Sequence, residues 1–187
     1  MRGVRARHAT HRHAPPVGNR LGAGGTVSAP VLDVTSGARM MWFDPADGRA
    51  IFADNRQETH TLCDGRTLTI DPDVCCDFRA LPFPDDTYRL VVFDPPHLEK
   101  LGKTSWTHAK YGALFPTWRD DLAAGFRECF RVLKPGGTLI FKWNEVQIPT
   151  STVLSLAPCP PLFGHRSGKA SRTHWAAFLK PETEVES

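Results

Sequence analysis

No apolar run in these 187 residues approaches the roughly 20 needed to cross a bilayer, so a helical membrane span is excluded. No 7–15-residue apolar stretch follows the basic start, so a cleaved secretory signal is not expected. Cysteines are few and odd in number: five, with Cys75 and Cys76 adjacent and no CxxC pair. That spacing excludes a secreted disulfide framework. It also argues against a zinc site built from His60, Cys63, Cys75 and Cys76, so no metal is expected and the cytoplasm is the expected compartment. Acids are missing altogether from the first 30 positions, which hold Arg2, Arg5, Arg7, Arg12 and Arg20. The formal charge of +3 and the pI near 8.7 therefore belong to this tail, and the remainder carries −2.

Residues 1–29 lack apolar periodicity and read as a basic disordered extension, which could meet an anionic partner. Residues 30–181 are long enough for one domain, and 182–187 form an acidic tail. Five short runs read as strands: 30–34, 50–54, 73–77, 89–94 and 138–143. They are continuous rather than alternating, as in parallel sheets covered on both faces. Trp118, Leu122, Phe126, Cys129, Phe130 and Leu133 form one helical stripe. Thr117 is its expected cap, with Asp120 as capping-box partner, and Lys134-Pro135-Gly136-Gly137 its stop and turn. A strand, a helical crossover and a strand imply a parallel βαβ unit. Residues 150–157 read as a short helix and Thr173–Leu179 as a late strand.

Asp33, Asp54, Asp77 and Asp94 each stand at or near a strand end. In open α/β sheets ligands bind beyond the carboxyl ends of the strands, so four such acids outline a binding edge. Thr35-Ser36-Gly37-Ala38 is a turn through which backbone can approach a ligand, and Asp54, about 20 residues on, suits a ribose diol. Gly164–Lys169 is one residue short of a P-loop and follows no clear strand, which argues against nucleotide hydrolysis.

The segment from about 30 to 143 resembles class I S-adenosylmethionine-dependent methyltransferases. VLDVTSGAR looks like their first motif, hhDxGxGxG, keeping Gly37 but with Thr35 and Arg39 where glycines are usual. AIFADNR looks like the second, CDFRALPFPDDTYRLVVFDPP the third and fourth, and FRECFRVLKPGGTLIF the helix and strand that follow. The resemblance implies a Rossmann-like fold, a mostly parallel central sheet with helices on both faces. It implies S-adenosylmethionine as cofactor, bound by Asp33, Gly37, Asp54, Asp77 and Phe78, with Asp77 on the adenine amine and Phe78 beside its ring.

Asp94-Pro95-Pro96-His97 resembles the [DNS]-PP-[YFW] motif of amino-methyltransferases, which act on exocyclic base amines or a glutamine amide. An aryl amine is a poor nucleophile because its lone pair is delocalised. A carboxylate and a rigid Pro95 carbonyl that each accept one N–H aim that lone pair at the methyl group. His97 stands where an aromatic ring would stack on the base, and it can instead act as a base. Asp94, Pro95 and His97 are therefore the expected catalytic residues. Pro96, with Lys103, Trp106 and Tyr111 of the 98–116 loop, is expected at the substrate, where basic and stacking groups suit a nucleic-acid strand. Lys142-Trp143-Asn144-Glu145 is expected beside the cofactor edge, with core packing as the equal reading of Trp143. The leading expectation is N-methylation of a nucleic-acid base, with the adenine amine as the first candidate. The alternatives are a small-molecule or protein methyltransferase using His97 as base, and a non-catalytic binding protein.

Overall fold

The computed structural model describes residues 29–62, 64–100, 112–166 and 172–182. The apolar runs become β1 (Val31–Asp33), β2 (Ala50–Asp54), β5 (Val74–Cys75), β6 (Tyr88–Phe93) and β7 (Leu133–Asn144). A hairpin, β3 (Glu58–Thr61) with β4 (Thr67–Ile70), lies between β2 and β5 and forms its own two-stranded sheet. The helix is α1 (Trp118–Val132); α2 (Thr150–Leu154), β8 (Phe163–Arg166) and β9 (Thr173–Leu179) complete the described elements.

The main sheet has the order β5-β2-β1-β6-β7-β9-β8. Strands β5, β2, β1, β6 and β7 are parallel, while β9 runs antiparallel to β7 and β8 to β9. The chain winds outward from β1 to β2 and β5, then returns to lay β6 on the other side of β1. The crevice at that reversal is where such sheets bind ligands.

One face of the sheet holds the main core. Leu32, Ile51, Val91, Phe93, Leu139, Phe141 and Phe178 pack with Leu122, Phe126, Cys129 and Phe130 of α1. Phe126 stands edge-on to Phe93 at 5.5 Å and 4.9 Å from Phe141. Removing that ring would cost about 3–5 kcal/mol. Val153 of α2 joins the same cluster. On the opposite face the irregular segment 38–49 covers Phe52, with Trp42 edge-on at 4.8 Å and the Arg39 guanidinium 4.0 Å above the ring. Among the described residues no helix is long and apolar enough to cross a membrane.

Three local expectations change. Thr117 makes no side-chain capping bond, because its backbone (φ −84°, ψ 11°) is not extended. Its hydroxyl donates instead to the Asp121 carboxylate at 2.8 Å. Lys134–Gly137 is not a turn between helix and strand: β7 starts at Leu133, directly after α1. The four residues bulge out, since Tyr88 faces Leu133 while Leu90 already faces Thr138, and Gly136 supplies the left-handed φ of +69°. The β3–β4 hairpin and β8 were not expected. The tail 1–28, residues 101–111 of the long loop, and 167–171 lie outside the described residues.

Candidate active site

The parallel strands bring their carboxyl ends to one edge, and a cavity of about 680 Å³ opens there. Its lining joins the Gly37 turn, Asp54, Asp77 and Phe78 to Asp94-Pro95-Pro96-His97. Lys142 lines the same cavity, as do Met40, Met41 and Phe115. Lys103, Trp106 and Tyr111 fall among the residues that are not described.

The turn after β1 departs from glycine at two places, and each departure makes a specific tie. The Thr35 hydroxyl accepts the Asp94 N–H at 2.8 Å, joining the β1 turn to the end of β6. Arg39 has φ +56°, a conformation that costs a non-glycine residue roughly 1–2 kcal/mol. Its guanidinium holds it there, donating to the Pro45 carbonyl at 2.9 Å and the Asp71 carbonyl at 2.7 Å while lying over Phe52. Gly37, the glycine retained, has φ +49° and donates its N–H to Asp54 Oδ2 at 2.8 Å.

The acids meet different fates. Asp54 accepts that bond and also the Arg56 backbone N–H at 3.0 Å and Nε at 3.2 Å. Asp77 is gripped by Arg79, whose Nη2 donates at 2.6 Å and Nε at 2.9 Å; Arg79 also reaches Asp121 at 2.8 Å. That grip holds the Asp77 carboxyl below the usual carboxylate range. Asp33 does not reach the cavity lining. It is fully buried, accepting Trp42 Nε1 at 2.7 Å and the Thr35 N–H at 3.3 Å. Burial pushes its carboxyl up to about 7.

Phe78 is set by a helix position with almost no room. A Cβ on Gly125 of α1 would sit 2.7 Å from the Phe78 ring and 2.8 Å from Phe93. A glycine inside a helix costs ~1 kcal/mol relative to alanine, and here it lets both rings close onto α1. Phe78 and Phe93 lie 5.3 Å apart.

At the other end, strand register decides the chemistry. Phe93 pairs with Phe141, so Asp94, just past the end of β6, and Lys142, next on β7, come side by side. Lys142 Nζ donates to Asp94 Oδ2 at 2.5 Å. Burial still holds the Asp94 carboxyl above its usual range, against the pull of Lys142. His97 lies edge-on to Trp143 at 6.1 Å, and burial lowers its imidazole below the usual range. It also hydrogen-bonds the Pro95 backbone. Proline has no N–H, so the imidazole is the donor and the Pro95 carbonyl the acceptor. Trp143 itself is core, fully buried and donating to the Ile148 carbonyl at 3.0 Å.

Neither a protein-family model nor a curated protein matches the sequence. Solved structures do. The PH0226 protein from Pyrococcus horikoshii OT3 is similar over 81% of this chain and 81% of its own, with 18% identity and a TM-score of 0.50. The [4+2]-cyclase SpnF is similar over 89% of this chain and 79% of its own, with 15% identity and a TM-score of 0.52. This chain has a Rossmann-like methyltransferase fold. TrmN from Thermus thermophilus shares that fold over 83% of this chain but only 46% of its own length, with 14% identity and a TM-score of 0.50. Identities this low speak for the methyltransferase fold and not for a reaction, and one of the three is named for a cyclisation.

The turn ties, Arg56, Arg79 and Gly125 are not among the residues expected from the sequence. The Asp-x-Arg spacing was a readable signal for the two arginines, since a carboxylate readily accepts the N–H two residues on. Lys142 was expected near the pocket, but its pairing with Asp94 depends on register alone.

Proposed function

We propose that this chain is an S-adenosylmethionine-dependent methyltransferase acting on an exocyclic amine of a nucleic-acid base. One observation carries the reading: a single cavity at the reversal of strand order is lined both by Gly37, Asp54, Asp77 and Phe78 and by Asp94, Pro95 and His97.

The residues present fit the cofactor. A Cβ on Gly37 would meet nothing nearer than Arg56 at 3.8 Å, so the turn is open on the cavity side. A carboxylate oxygen has two acceptor sites, and Asp54 Oδ2 spends one on the Gly37 N–H, leaving one for a ribose hydroxyl. Asp77 and Phe78 stand at the adenine end, with the Phe78 ring closed onto Gly125 of α1. Bound there, S-adenosylmethionine supplies an electrophilic methyl carbon.

Asp94 and the Pro95 carbonyl hold the acceptor. Each takes one amine N–H, which pulls the nitrogen toward tetrahedral geometry and turns its lone pair to the methyl carbon. The two prolines keep that carbonyl fixed, so little reorganisation is needed when the amine arrives.

A second reading is favoured by His97. Its lowered imidazole is neutral at pH 7, and its N–H is spent on Pro95. That is the protonation state of a general base, which would serve a hydroxyl of a small molecule or protein. The two readings separate in a pH–rate profile: base catalysis predicts an acidic limb that vanishes in His97→Ala.

The test of the main reading begins with calorimetry against S-adenosylmethionine. Micromolar binding is expected, and no binding at millimolar cofactor overturns the reading. Labelled cofactor is then offered to DNA, RNA and a metabolite pool. Label confined to small molecules removes nucleic acid as the substrate.

A further inference from the structure

Asp94 does not face an acceptor alone. Its neighbour in strand register is a cation that lines the same cavity, with an ammonium 2.5 Å from Oδ2. A second contact steadies the lysine: its ammonium lies 5.6 Å from the centre of the Trp175 ring on β9. An ammonium has three donors, and the Asp94 bond uses one. The cavity therefore sees an acceptor, the Asp94 carboxylate, next to a donor, the Lys142 N–H. His97, on the same loop, and Asp33, on β1, are the other titratable groups acting on Asp94 or feeling its charge.

We propose that Lys142 is a specificity-determining residue of the acceptor site, selecting an amine that stands beside a ring-nitrogen lone pair. This rests on the methyl-transfer reading above and adds to it. Such an amine offers one donor and one neighbouring acceptor, the complement of the Asp94–Lys142 pair. Adenine presents that pattern on its N6 and N7 edge, as it does to the bidentate amide side chains that read it in DNA. An isolated alkyl amine has no such neighbour and would leave the Lys142 donor unmatched in a partly buried site, which weakens its binding. Lys142 thus separates amidine-like amines from plain amines, while Asp94 and Pro95 orient the nitrogen.

The experiment compares the full-length protein with Lys142→Met, which keeps bulk and removes donors, and with Lys142→Arg, which keeps a donor. Affinities for adenosine, 1-deazaadenosine and 7-deazaadenosine are measured by ligand-observed NMR. Label transfer is measured on random oligonucleotide pools made with each base. For the unsubstituted protein, one of the two deaza analogues should bind at least fivefold more weakly and accept label at least tenfold more slowly than adenosine. Lys142→Met should lose that discrimination and Lys142→Arg should keep it. Equal discrimination in Lys142→Met, or none in the unsubstituted protein, overturns the proposal. Micromolar cofactor binding with label only on acceptors lacking a ring nitrogen beside the amine also overturns it, yet leaves methyl transfer standing. Absence of cofactor binding removes both.

Discussion

Asp54 and Asp94 line the same cavity, yet they are held in opposite ways. Asp54 is gripped by Arg56, two residues on, which offers both its backbone N–H and its guanidinium. Asp77 and Arg79 repeat the arrangement in the cavity; Asp47–Arg49 and Asp64–Arg66 repeat it elsewhere. This is a turn device that any Asp-x-Arg can form. The partner of Asp94 comes from 48 residues away and meets it because two parallel strands are in register. The local pairs are interchangeable in kind, whereas the long-range pair exists only in this fold.

The strongest way to sharpen the contrast is to neutralise the long-range acid. Asp94→Asn should slow label transfer by about 1000-fold, roughly 4 kcal/mol of barrier, with cofactor affinity within threefold. Transfer assays and calorimetry on the same preparations check this; a loss of cofactor binding would move Asp94 into the cofactor end.

Asp33 extends the comparison, being a carboxyl held by neutral donors. Its folded pKa of about 7 lies above the ordinary value of 3.8, so the native state binds the proton more tightly. The stabilisation is fully present below pH 4 and is lost as pH rises through 7. Denaturant titrations should show the Asp33 contribution falling by about 2–4 kcal/mol between pH 4 and 8, a slope absent from Asp33→Asn.

Arg39→Gly relieves the positive φ. It also removes two carbonyl contacts and the cover over Phe52. The lost contacts outweigh the relief, so a net cost of about 1–2 kcal/mol is expected, lowering Tm by roughly 2–8 °C. A stabilised protein would mean that the tether contributes little.

The smallest effect belongs to the local device. Arg56→Ala breaks a partly exposed pair and should change cofactor affinity by less than about fivefold, under 1 kcal/mol. Asp54→Ala removes the acceptor itself and should cost more than tenfold. Equal effects would erase the distinction drawn above.

Much of the sheet was legible because buried parallel strands leave continuous apolar runs such as Ala50-Ile51-Phe52-Ala53. Helix α1 was legible from its stripe, and its stop was not, since whether Lys134–Gly137 turns or bulges depends on what Tyr88 and Leu90 offer across the ladder. The β3–β4 hairpin does carry a local signal: Thr67-Leu68-Thr69-Ile70 alternates after Asp64-Gly65, and its burial alternates too. Of the site, Asp54, Asp77 and the Asp94–His97 turn were readable as acids and prolines at strand ends. Asp33, readable in the same way, turned out to belong to the core beneath them.

The five parallel strands, helix α1 and the stiff Asp-Pro-Pro turn follow from the sequence alone, because apolar periodicity and proline chemistry are local properties. Which carboxylate faces the cavity, which is buried against Trp42, and which cation stands beside Asp94 are settled by the packing of distant segments. Those outcomes depend on register and on the face each strand turns inward. A shift of one residue would exchange them without altering a single local preference.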